Sequence, residues 1–245
     1  MIYSQALDFS VLLNEEVIAL LIYPLLYLLY YFGSDFPFVK KFRARFNESQ
    51  ENFEKSVYFR RSMGFVLLGL IPFLITAFYF KKPLSAYGLG LPSGEYALYW
   101  SLIPLAAVFL VSLLLPAKKI NLSYYPEVRK KTWPLSRTII NAAFWAVYLL
   151  GYEFALRGMI FYTTLYAYGL FPALAINSII YALIHIFKGP KEAFGAFFLG
   201  ILLCLITYYT NSIWMALIIH IAMAVINDIK AVNATKKSEK ASENI

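Results

Sequence analysis

Glu153 and Arg157 stand four residues apart in the stretch Gly151-Tyr152-Glu153-Phe154-Ala155-Leu156-Arg157-Gly158, inside a long apolar run. On a helix that spacing puts acid and base on one face, where each shields the other's charge. The chain's only two histidines, His185 and His220, fall in two further apolar runs. His185 closes Tyr181-Ala182-Leu183-Ile184-His185, one turn beyond Tyr181, with Asn177 and Ser178 about a turn further back. His220 precedes Asn227 by seven residues, two turns along nearly the same face.

Each of these signals has a plain structural reading: an ion pair that orients helices, a packed imidazole, and a polar end of the last span at Asn227 and Asp228. Three of them on three apolar segments, holding every histidine, favour function, because ionisable groups at membrane depth are costly. A carboxylate whose charge an arginine compensates can serve as a base toward water. Two imidazoles facing it can hold that water or stabilise the oxyanion formed when an amide carbonyl is attacked. Peptide hydrolysis inside a membrane is the reaction such a set suits. Glu153, His185 and His220 plus a water would also make a three-ligand zinc site. No His-Glu-x-x-His spacing supports a metal, so no cofactor is expected and zinc stays as the alternative. Haem held by the two histidines has no support beyond their number.

The elements that must position these groups are read from composition. Hydrophobic residues make up 60% of the 245 and charged residues 15%, with a mean hydropathy of +0.62. These values describe an integral membrane protein of all-α class, a polytopic helical bundle. Apolar runs long enough to cross a hydrocarbon core predict spans near 14–33, 62–80, 96–116, 138–158, 171–187, 193–210 and 213–230. Met159–Leu170 is apolar too, and it extends a neighbour or makes an eighth helix.

Segments 34–61, 117–137, 188–192 and the tail after 229 hold nineteen of the twenty-two Lys and Arg residues, and seven spans put all four on one side. The positive-inside rule then predicts the N-terminus outside, the C-terminus cytoplasmic, and a plasma-type (inner) membrane. The first sixteen residues lack Lys and Arg, so no cleaved signal is expected. The net charge of +8 lies along membrane edges, which points to lipid headgroups as partners rather than nucleic acid. Cys204, the single cysteine, reads as a packed thiol.

Three regions follow: a three-span part over 1–137, a core bundle over 138–230 carrying the motifs, and a polar tail over 231–245 expected to be disordered. In the first, Phe42, Phe46, Phe53 and Val57 alternate at helical spacing with charged residues, the pattern of a helix lying in the interface within loop 34–61.

Depth poses a problem. Arg137 marks the basic edge of the fourth span, so at about 1.5 Å per residue Glu153 lies roughly 24 Å in. His185 is only three residues from Lys188 on that same side. To bring them together, the fourth helix must start early or break near Gly151, or the loop 188–192 must dip. Irregular backbone around a water-filled cavity is the expectation.

Glu153 to Gly158, Tyr181 to His185, and Phe198 through Thr210-Asn211-Ser212-Ile213-Trp214 to His220 together resemble the CPBP family of intramembrane glutamic endopeptidases. That family includes type II CaaX prenyl proteases and proteins of abortive infection or bacteriocin self-immunity. Its pattern is Glu-Glu-x-x-x-Arg-Gly, Phe-x-x-x-His, then His-x-x-x-Asn or Asp, and the resemblance covers 138–230. It implies an endopeptidase with Glu153, His185, His220 and Arg157 in the site, and a peptide or protein substrate, lipidated or not. The chain departs from the pattern at Tyr152, where the family's first glutamate is assigned as general base, at Tyr181 for Phe, and at Ala224, with Asn227 one turn further on. These departures motivate the alternatives: a non-catalytic immunity or peptide-binding protein of the same family, or a proton-coupled transporter.

Overall fold

The computed structural model describes residues 11, 13–37, 39, 41, 50–116, 121–130 and 132–243. Among the described residues there is no strand. Among the same residues, seven helices are long and apolar enough to cross a membrane: α1 (Glu15–Phe32), α2 (Glu54–Phe80), α3 (Ala97–Leu114), α4 (Leu135–Tyr168), α5 (Leu170–Lys188), α6 (Pro190–Thr210) and α7 (Trp214–Lys236). The chain is an integral membrane protein, with the seven spans expected from its apolar runs.

Met159–Leu170 makes no eighth helix. α4 continues through it to Tyr168, and Gly169, at φ 83°, turns the chain straight into α5. Glycine is the residue for that bend, because a side chain is strained at positive φ.

One expectation is corrected, and another falls largely outside the described residues. Within 34–61, residues 37, 39 and 41 are helical, and a further helix begins at Gln50 and runs into α2. Val57 is buried and Glu54 pairs with Arg137 and Lys130, so these residues belong to the bundle. Phe42 and Phe46 lie outside the described residues. The tail is helical as well, the last helix running from Trp214 to Glu243 rather than ending near 230. Its extra turns are anchored by Ala231 and Val232, both buried.

The helix ends sort into two faces. On one, Arg61 meets Glu127, Arg137 meets Glu54, Asn121 donates to the Lys188 carbonyl, and Lys230 donates to the Leu113 and Leu115 carbonyls at the end of α3. On the other, Lys82 pairs with Glu15, Ser93 bonds Thr210, and Gly88 bonds Ile213. The segments rich in Lys and Arg therefore gather at a single basic face.

α2 and α4 approach backbone to backbone. A Cβ on Gly69 would lie 2.6 Å from Gly151 Cα, and one on Gly151 would lie 3.0 Å from Gly69 Cα. Gly151 is two residues before Glu153, so this contact fixes the height and rotation of the acidic side chain. Gly69→Ala is expected to cost about 1–3 kcal/mol through forced separation of the helices, read as a lower melting temperature in detergent.

Candidate active site

α4 carries the acid. Beyond Glu153 it winds as a π-helix over Phe154–Ile160, where every residue is buried. π-turns inside α-helices occur most at functional positions, since the wider turn re-aims side chains and frees backbone groups. Here the Phe161 N–H and Asn177 Nδ2 both donate to the Leu156 carbonyl, the latter at 2.6 Å. Asn177 also accepts from Cys204 Sγ at 3.1 Å. Its task is to tie α5 and α6 to the irregular turn, and Cys204 is the packed thiol its sequence context suggests. The irregularity expected near Gly151 thus takes the form of underwinding past Glu153, and the helix does not break.

Glu153 and Arg157 are fully buried, with Arg157 Nη1 3.4 Å from Glu153 Oε1 and 3.3 Å from Oε2. The guanidinium also lies over the Tyr181 ring, 4.4 Å from its centroid, a cation–π contact. From α7, His220 Nδ1 comes within 2.6 Å of Glu153 Oε1. A carboxylate only accepts, so Nδ1 carries the proton and Nε2 is the uncommitted nitrogen. His185 is bound in a parallel way: its Nδ1 donates to the Tyr181 carbonyl at 2.8 Å, again leaving Nε2. Tyr27 of α1 donates to the neighbouring Ile184 carbonyl, holding that turn of α5.

Aromatic rings fill the space between. The Tyr152 ring stands edge-on to His220 at 5.6 Å and to Tyr181 at 6.0 Å. Tyr181 in turn contacts His220 at 6.0 Å and His185 at 4.6 Å. The depth problem is solved this way: Glu153 and His220 meet directly, while His185 stays nearer the basic face and joins them through Tyr181.

Two cavities reach the imidazoles. The larger, about 510 Å³, is walled by α3, α6 and α7 and is lined by Tyr181, His185, His220 and Ala224. α3 is otherwise exposed over most of its apolar surface, so this cavity opens beside the helix least embedded in the bundle. The smaller, about 60 Å³, is lined by tyrosines including Tyr152, together with both histidines. Glu153 and Arg157 line neither one, so the carboxylate lies behind His220 rather than on a cavity wall. Asn227 lines the larger cavity, but no hydrogen bond among the described residues joins it to a histidine.

Among the described residues no group of three or more His, Cys, Asp or Glu could hold a metal ion.

A second buried cluster escaped the sequence reading. Arg61 bonds Asn141 Oδ1 at 2.8 Å and Glu127 at 3.1 Å, and its guanidinium lies 3.9 Å from the Trp145 centroid. Asp228 Oδ2 accepts from Asn141 Nδ2 at 2.8 Å and Trp145 Nε1 at 2.6 Å. Trp145 lines both cavities, so this cluster clamps α2, α4 and α7 around the site. Nearby, burial pushes the Tyr125 phenol up, which keeps it a neutral acceptor for Lys188 Nζ at 3.2 Å. Arg61→Met would leave Asp228 buried without its cation, an expected loss of about 3–5 kcal/mol measurable as thermal stability.

Residues 132–226 match the family described as Type II CAAX prenyl endopeptidase Rce1-like. The match is consistent with the CPBP resemblance. No curated protein and no solved structure matches the chain.

Proposed function

With the matched segment supporting membership of the CAAX-protease-like family, we propose that this chain is an intramembrane endopeptidase in which His220, backed by Glu153, activates water. The observation that carries the proposal is the 2.6 Å contact between Glu153 Oε1 and His220 Nδ1 beneath a cavity lined by His220 and His185. The sequence pattern made Glu153 the base that meets water. Its position behind the imidazole favours an orienting and charge-stabilising part instead, with His220 Nε2 as the proton acceptor.

A peptide enters the larger cavity, whose volume suits several side chains. Water loses a proton to His220 Nε2 as its oxygen bonds the carbonyl carbon. Glu153 stabilises the imidazolium that results. His185 supplies a second imidazole beside the developing oxyanion. Collapse of the tetrahedral intermediate breaks the C–N bond as the His220 proton passes to the leaving nitrogen, giving a carboxylic acid and an amine, which exchange the remaining proton to leave a carboxylate, an ammonium and a neutral His220. None of these steps calls on a metal. The basic face is proposed to be cytoplasmic, in line with its Lys and Arg content.

The test is cleavage of internally quenched peptides, prenylated and not, by the purified chain in proteoliposomes. Activity abolished by His220→Ala and unaffected by phenanthroline supports the reading; activity lost on chelation contradicts it. The second reading, a peptide-binding protein without catalysis, is favoured by Tyr152 standing where the family's first glutamate would be. Peptide binding with no cleavage supports that reading. Cleavage that appears only in Tyr152→Glu would show a lapsed glutamate site.

A further inference from the structure

Hydrolysis consumes one water per turnover, yet a peptide seated in the larger cavity covers that approach to His220. We propose that the smaller cavity is a hydrated passage carrying water from the basic face to His220 while peptide fills the larger one. The use of the passage rests on the hydrolytic reading above; its hydration does not.

Its two ends fit this task. Arg60 stands at the outer end, 41% exposed and paired with Glu127, while Tyr152 and His220 stand at the inner end. At about 60 Å³, the cavity has room for about two waters at roughly 30 Å³ each. It is far smaller than the larger cavity and admits no peptide. Apolar cavities stay dry, whereas this one is walled by phenols from separate helices. Tyr30 of α1 and Tyr148 of α4 stack across it at 5.5 Å. Arg60, Glu127 and Lys188 add charged groups to its wall, which favours water over an empty space.

Hydroxyl-radical footprinting of the wild-type protein in proteoliposomes tests the hydration. Tyr23 and Tyr87 are fully buried and line neither cavity, so they are internal controls. Tyr152 is only 4% exposed. Oxidation of Tyr148 and Tyr152 well above that of Tyr23 and Tyr87 is expected; labelling as low as the controls overturns the passage. A second arm tests its use. Tyr30→Trp, which narrows the passage, is expected to give a several-fold loss of kcat with KM unchanged, whereas Leu199→Trp in the larger cavity raises KM. An unchanged kcat in folded Tyr30→Trp overturns the supply role even if the cavity is wet. A wild-type protein that cleaves nothing instead overturns the hydrolytic reading and the supply role with it, while the labelling still decides whether the passage is hydrated.

Discussion

His220→Gln is expected to lower kcat by about 10⁴-fold or more, the scale seen when the imidazole of a hydrolytic dyad is removed. Glutamine approximates the reach of the imidazole but offers no basic nitrogen, so water bound in the cavity keeps its proton. KM is expected to change little, because the larger cavity is formed chiefly by α3, α6 and α7 side chains that the substitution leaves in place. The edge contacts of His220 with Tyr152 and Tyr181 are lost, so a modest drop in melting temperature accompanies the kinetic one. Cleavage of a quenched peptide, followed alongside thermal unfolding, separates the two effects.

Glu153→Gln is expected to lower kcat by about 10³–10⁴-fold for a different reason. The amide oxygen still accepts from His220 Nδ1, so the ring keeps its place, but the negative charge that stabilises the imidazolium is gone. The same change strands Arg157, fully buried, with no carboxylate opposite it. An uncompensated buried charge costs about 3–5 kcal/mol, so the single variant is expected to unfold at markedly lower temperature. Adding Arg157→Met removes the stranded charge. The double variant is expected to regain stability and to remain inactive, which ties the kinetic loss to the carboxylate rather than to unfolding.

How far the sequence discloses this arrangement varies with the kind of information a residue carries. The spans follow from apolar length, and the gathering of helix ends at one basic face follows from where Lys and Arg fall between them. The pairing of Glu153 with Arg157 is local and was legible from spacing alone. Convergence of Glu153 with His220 was readable only as a hypothesis, since it depends on the relative heights of α4 and α7. The height of Glu153 on its side is set by the Gly69–Gly151 contact between α2 and α4 and by the π-winding after Glu153, neither of which has a periodic signature.

The direction of Glu153 was harder still to read. Sequence spacing says which residues share a face, but not whether that face meets a cavity or another side chain. The Arg61–Asn141–Asp228 cluster went unread because its members lie near span ends, where polar residues look like ordinary boundaries. A signal for the tyrosine-lined cavity does exist: Tyr27, Tyr30 and Tyr31 fall at helical spacing on α1, as do Trp145, Tyr148 and Tyr152 on α4. Two aromatic stripes with hydroxyls are an unusual pair to bury against each other.

The account stands on Glu153 and His220 acting as one unit. The direct measurement is a double-mutant cycle on kcat in proteoliposomes, comparing His220→Gln, Glu153→Gln and the two together. A unit predicts that the double variant is no slower than His220→Gln alone, because a carboxylate with no imidazole to support has nothing left to contribute. Losses that multiply would mean that Glu153 meets the substrate or its water independently of His220, and would contradict the account.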